Sequence, residues 1–110
     1  MSSSNPLKTV TLKRVTIIAE AVVERQLLEE LSELGASGYT VVKAEGRGSR
    51  GVRASDWEGR NIKVETIVRP AVAEKILDRL AKYYFTHFAV IAYVDEVEVV
   101  RGEKYASPHS

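Results

Sequence analysis

Asn61-Ile62-Lys63-Val64-Glu65-Thr66-Ile67-Val68 alternates polar and apolar side chains and is rich in β-branched residues, the pattern of a half-buried strand. What flanks it matters as much. Before it, from Glu45 to Arg60, runs a segment with almost no apolar content besides Val52 and Trp57. After it, Pro70 stands where a helix can begin without losing a hydrogen bond. The stretch therefore reads as a strand that follows a long loop and feeds a helix.

Working outward, Tyr39 to Ala44 is a second short strand upstream of the loop. Further back, Val10, Leu12, Val15 and Ile17 sit among threonines and basic residues, a strand over Lys8 to Ala19. From Glu20 the period changes: Val23, Leu27, Leu31 and Leu34 fall at helical spacing, with Glu24, Glu29, Glu30 and Glu33 on the outer face, and Gly35 and Gly38 supply the stop. Downstream, Val72, Ile76, Leu77, Leu80 and Tyr84 make the apolar stripe of a second helix. Phe88 to Tyr93 is a fourth strand, which Val97, Val99 and Val100 either extend or follow as a fifth. Residues 1–7 and 106–110 read as flexible tails on a single domain over 8–105. The order β-α-β-β-α-β is the split βαβ pattern, an α+β, ferredoxin-like antiparallel sheet with two helices on one face. The other face has no cover within the chain, so a homo-oligomer that packs these faces together is expected.

The bulk numbers agree with that size and narrow the chemistry. The chain has 110 residues, 45% hydrophobic and 28% charged, with 16 basic and 15 acidic side chains and a net charge of +1. A dedicated nucleic-acid binder carries a larger basic excess. There is no cysteine, which excludes disulfides, thiolate metal sites and cysteine nucleophiles. No run approaches the roughly 20 apolar residues that span a bilayer. Ser2 to Leu7 is polar and has no apolar signal core, so the expected compartment is the cytoplasm.

The chemistry concentrates in Gly46-Arg47-Gly48-Ser49-Arg50-Gly51-Val52-Arg53. Glycines let backbone amides approach a phosphate, and arginines add charge-assisted bidentate hydrogen bonds. The glycines match the dinucleotide fingerprint literally, but that unit needs a helix straight after them, and here Asp56-Trp57-Glu58-Gly59-Arg60 and a strand follow. A Gly-Lys-Ser/Thr P-loop is absent as well. The plain alternative is a solvated hairpin loop, against which stands its unusual length. Trp57, the only tryptophan, is either a loop-tip anchor for a partner protein or folds back on its own sheet or a neighbouring subunit. Asp56 and Glu58 either help hold a cation bridged to phosphates or are simply solvated. His87, between the second helix and fourth strand, reads as a helix-end charge without a catalytic partner, and Tyr83, Tyr84 and Phe85 read as core packing, with base stacking as the lesser alternative. An RNA-binding domain of the same order stacks bases on aromatics in its first and third strands; Val15 to Ala19 and Asn61 to Val68 contain none. A hydrolase needs a positioned base and usually a metal clamp, for which only Asp56, Glu58, His87 and scattered carboxylates are available.

With this order and loop in view, the chain resembles the PII-like signalling proteins, and within them the cyanobacterial carbon-sensing SbtB branch. The matching residues are Gly38-Tyr39-Thr40-Val41, Gly46-x-Gly48-Ser49-Arg50-x-Val52-Arg53, Asn61-Ile62-Lys63-Val64-Glu65 and Tyr84-Phe85. The resemblance implies a homotrimer that binds cyclic AMP, AMP, ADP and ATP in clefts between subunits. It implies that Gly48, Ser49, Arg50 and Arg53 hold the nucleotide, and that Phe88, Ala89 and Val90 line the adenine pocket. The long loop, about residues 45–60, would be the T-loop, with Arg47, Asp56, Trp57 and Glu58 facing further phosphates or the partner. That partner would be the sodium-dependent bicarbonate transporter SbtA, reached from the cytoplasmic side of the membrane. Adenine nucleotides would act as effectors in a non-enzymatic sensor with no covalently bound cofactor. Whether magnesium or calcium accompanies ATP is left open. Some members end in a two-cysteine redox hairpin; with Tyr105-Ala106-Ser107-Pro108-His109-Ser110 here, that switch cannot exist.

Overall fold

The computed structural model describes residues 8–45 and 61–100. The element order is β1 (Thr9–Glu20), a 3₁₀ turn (Ala21–Val23), α1 (Glu24–Leu34), β2 (Thr40–Ala44), β3 (Asn61–Val68), α2 (Pro70–Tyr83) and β4 (Val90–Val100). The four strands form one antiparallel sheet in the order β2-β3-β1-β4. This is the α+β architecture expected from the alternation.

The two-residue period sorts the sheet into two faces. Val15, Ile17 and Ala19 of β1 and Ile62, Val64 and Val68 of β3 are buried together with Leu27 and Leu31 of α1 and Val72, Ala73, Ile76 and Leu80 of α2. Each such aliphatic side chain contributes about 1.5–3 kcal/mol on full burial. The other face carries Val42 of β2 and Ile91 and Tyr93 of β4, which are 48%, 58% and 49% exposed. Further along this face Arg14 of β1 is paired in register with Asp95 of β4.

Chain punctuation follows simple rules. Gly35 takes φ +116°, and its left-handed turn sends the amides of Gly35 and Ala36 back to the carbonyls of Ser32 (3.2 Å) and Leu31 (2.9 Å). The Gly38 carbonyl accepts the Thr66 hydroxyl at 2.6 Å, tying the α1–β2 connection to β3. Pro70 opens α2, and the Arg69 carbonyl accepts the amides of Val72 and Ala73.

Several expectations are corrected. Glu20 closes β1 rather than opening α1, because the register with β3 continues to the Glu20–Asn61 pair. β4 begins at Val90, not Phe88, and runs unbroken to Val100, so the last valines extend it. Glu30 is half-buried rather than outward, with its Oε1 3.6 Å from Arg79 Nη1. Of the aromatic trio only Tyr84 is core, at 0% exposure; Tyr83 lies 57% exposed with the Arg79 guanidinium 5.7 Å from its ring centre, and Phe85 is 42% exposed.

Candidate functional site

One end of the sheet gathers what the sequence singled out. Ala44 at the end of β2 pairs with Asn61 at the start of β3. Asn61 pairs with Glu20 at the end of β1, and Ala19 pairs with Val90 at the start of β4. Four chain ends therefore stand in a row. The segment 46–60 leaves from β2 and returns into β3 at this end. Gly48, Ser49, Arg50 and Arg53, together with Arg47, Asp56, Trp57 and Glu58, lie outside the described residues, so only the loop's anchors are placed.

The second group, Phe88, Ala89 and Val90, is placed, at the opposite edge. Strand spacing of about 4.8 Å separates the β2 edge from the β4 edge by roughly 14 Å. Within one chain the loop anchor on β2 and the Phe88–Val90 segment are thus kept apart by β3 and β1.

The local structure of this segment explains why β4 starts late. After α2 the amides of His87 and Phe88 both turn back to the Tyr84 carbonyl, at 3.0 and 2.9 Å. Ala89 N–H then donates to Glu20 Oε2 at 2.7 Å. A side-chain carboxylate takes the amide, and strand pairing begins at the next residue. The Phe88 ring lies 6.0 Å from the Tyr84 ring, tilted by 46°, and the exposed His87 ring meets its edge at 6.4 Å. Phe88, Ala89 and Val90 are all half-buried. The result is a short, half-buried apolar wall at the start of β4. Among the described residues no three His, Asp or Glu side chains cluster closely enough to hold a metal ion.

Behind the wall lies a polar cluster the sequence did not announce. Tyr84 OH and Glu30 Oε1 are both buried without a hydrogen-bond partner among the described residues. Burial pushes the Tyr84 phenol well above its ordinary range, with the Glu30 carboxylate adding to it. Glu30 reads as outward because it is charged, although it stands three residues from Leu27 and seven from Val23, beside the apolar stripe of α1. Glu20 was equally illegible as a partner of Ala89, since nothing in spacing links residues so far apart in the chain.

Residues 12–104 match the sequence profile of the family described as Nitrogen regulatory protein P-II. A solved structure described as a PII-like signaling protein from Thermus thermophilus is 58% identical, covering 90% of this chain and 99% of that one, with a TM-score of 0.79. CPII from Thiomonas intermedia, bound to ADP, AMP and acetate, shares the fold at 22% identity and TM-score 0.77, over 90% of this chain and 98% of CPII. The same protein bound to ADP and bicarbonate gives 24% identity and TM-score 0.78 over the same shares.

Proposed function

Because the chain belongs to the P-II family of regulatory signalling proteins, we propose that it is a homotrimeric sensor of adenine nucleotides. Cyclic AMP, AMP, ADP and ATP would compete for clefts between subunits. The observation that carries this reading is the strand order. It puts the anchor of the Arg50/Arg53 loop on one edge of the sheet and Phe88–Val90 on the other. A head-to-tail contact between copies would join one chain's β2 edge to the next chain's β4 edge, and a heterologous contact whose rotation closes makes a ring. The ring would assemble each cleft from two chains and cover Val42, Ile91 and Tyr93.

In this reading Gly48, Ser49, Arg50 and Arg53 hold the phosphates common to all ligands, and Phe88, Ala89 and Val90 line the base. Arg47, Asp56, Trp57 and Glu58 respond to the further phosphates of ADP and ATP, with magnesium or calcium where ATP is bound. Each nucleotide shifts the loop by its differential affinity for the loop's conformers. The loop then docks on, or withdraws from, the bicarbonate transporter SbtA at the cytoplasmic membrane face. CPII, a nucleotide- and bicarbonate-bound structural neighbour, supports a role in inorganic-carbon signalling.

The test is calorimetric titration of the purified protein with the four nucleotides, together with its mass by light scattering. A trimer that binds them is expected, and absence of nucleotide heat overturns the reading. A phosphate-release assay with ADP and ATP should stay at background. Proteoliposomes carrying SbtA should retain the protein in a nucleotide-dependent way.

A further inference from the structure

Glu20 grips its neighbours on both sides where the sheet ends. Its backbone pairs with Asn61 at the start of β3. Its side chain accepts the Ala89 amide at 2.7 Å. The β1–β4 ladder pairs Thr9 with Val100 and steps residue by residue to Ala19 and Val90, so the next step would set Glu20 opposite Ala89. The ladder stops short of that step, and the carboxylate supplies the bond in its place. Upstream the same segment is fixed again, because the Tyr84 carbonyl accepts the amides of His87 and Phe88. Phe88 and Ala89 are therefore held between two points, a turn at the end of α2 and a single side chain from the end of β1.

Only the second of these depends on side-chain identity. The turn uses the Tyr84 backbone carbonyl, which every residue has. The bond to Ala89 needs a side chain of this length with an acceptor oxygen at its tip. A surface fixed before the ligand arrives spares the ligand the cost of ordering it. We propose that Glu20 is a positioning residue for the base wall: its side chain takes over from the backbone ladder, sets the point at which the chain enters β4 and holds Phe88–Val90 ready for the nucleotide. The inference rests on the reading of Phe88–Val90 as the base-lining wall and names what orders that wall. It calls on the reach and the acceptor oxygen of Glu20, not on its negative charge.

The experiment separates bond from charge. Wild type, Glu20→Gln, Glu20→Asp and Glu20→Ala are titrated with AMP and ADP by calorimetry, below the unfolding temperature of each, and hydrogen exchange is followed at the Ala89 amide. Glu20→Gln keeps length and acceptor without the charge and should bind both nucleotides within about threefold of wild type. Glu20→Asp keeps the charge but is one methylene shorter, which puts the amide outside hydrogen-bond range. Glu20→Asp and Glu20→Ala should weaken AMP and ADP by the same factor, about tenfold or more. Both should also speed exchange at Ala89 while the amides of β3 stay protected. Should Glu20→Ala not fold, the Gln and Asp variants carry the same comparison. Wild-type affinity in Glu20→Asp overturns the proposal. So does a Glu20→Gln variant as weak as Glu20→Asp, which would assign the effect to charge, and either result leaves the nucleotide-sensor reading standing. Absence of all nucleotide binding by wild type instead removes the sensor reading and this inference with it.

Discussion

Arg14 closes on Asp95 through two bonds, Nη2 to Oδ2 at 2.7 Å and Nε to Oδ1 at 3.1 Å, on the sheet face that the helices leave uncovered. The guanidinium's hydrogen bonds hold the Asp95 carboxyl below the usual carboxylate range, and Asp95 in turn raises Arg14. In water such a pair contributes little to folding. Covered by another copy, it becomes a neutralised unit whose halves cannot be removed singly without burying a charge. Arg14→Ala should therefore keep a folded protomer by circular dichroism yet dissociate the proposed trimer at concentrations where wild type is expected to stay associated in sedimentation velocity. Arg14→Leu with Asp95→Leu should restore it. The Asp95 contribution is present above about pH 3.9, the ordinary carboxylate value, and is lost as pH falls through its depressed value. An Arg14→Ala trimer as tight as wild type would show that this face is not the interface.

Gly35 is held by φ and by space at once. A Cβ placed on it would stand 3.2 Å from Val72 Cγ2, and its φ of +116° is one that L residues rarely adopt. Gly35→Ala should cost about 1–2 kcal/mol from the left-handed conformation alone, with further loss if Val72 cannot shift. Urea denaturation measures this. A change below about 0.5 kcal/mol, the ordinary scatter for surface substitutions, would mean that the turn relaxes freely.

Tyr84 makes alkaline stability a readout of the core. Its phenol is raised by burial first and by Glu30 second, so the folded state keeps a proton that the unfolded chain releases above about pH 10. The resulting stability is fully present below that pH and is lost as pH rises beyond it. Tyr84→Phe should flatten this loss. At pH 7 it should change stability by no more than about 1 kcal/mol, because the hydroxyl it removes has no hydrogen-bond partner among the described residues. Urea midpoints at about pH 7 and about pH 10.5, either side of the ordinary phenol value, decide it; an unchanged alkaline slope rules out Tyr84 as the source.

Alternation made β3 readable to the residue, because Ile62, Val64, Thr66 and Val68 are all buried against the helices while their neighbours are not. The helices were readable for the same reason, since one stripe of each meets the sheet. What failed was governed by contacts across the sheet. Phe88 and Ala89 look like strand residues, yet the Tyr84 carbonyl and the Glu20 carboxylate claim their amides first. Tyr83 lies as near the stripe of Ile76 and Leu80 as Tyr84 does by helical spacing, yet only Tyr84 is buried, so the end of α2 and not its period decides which ring is core. In the candidate site, Phe88–Val90 came from resemblance alone, because Phe, Ala and Val carry no polar side-chain group that would mark them as a site.

The arginines of the loop should separate by ligand. In the proposed cleft Arg50 and Arg53 meet phosphates that every ligand carries, so Arg53→Ala should weaken cyclic AMP, AMP, ADP and ATP alike. The loss should be about 1.5–3 kcal/mol, the worth of a charged hydrogen bond, or roughly 10- to 100-fold in Kd. Arg47 is placed further along the same proposal, toward the β and γ phosphates. Arg47→Ala should then spare cyclic AMP and AMP and weaken only ADP and ATP. Calorimetry on the four ligands gives eight affinities for the two variants. A uniform loss in both would assign the two arginines the same job. A loss in Arg47→Ala confined to the longer ligands would make that residue the counter of phosphates, and the loop the element that converts the count into docking.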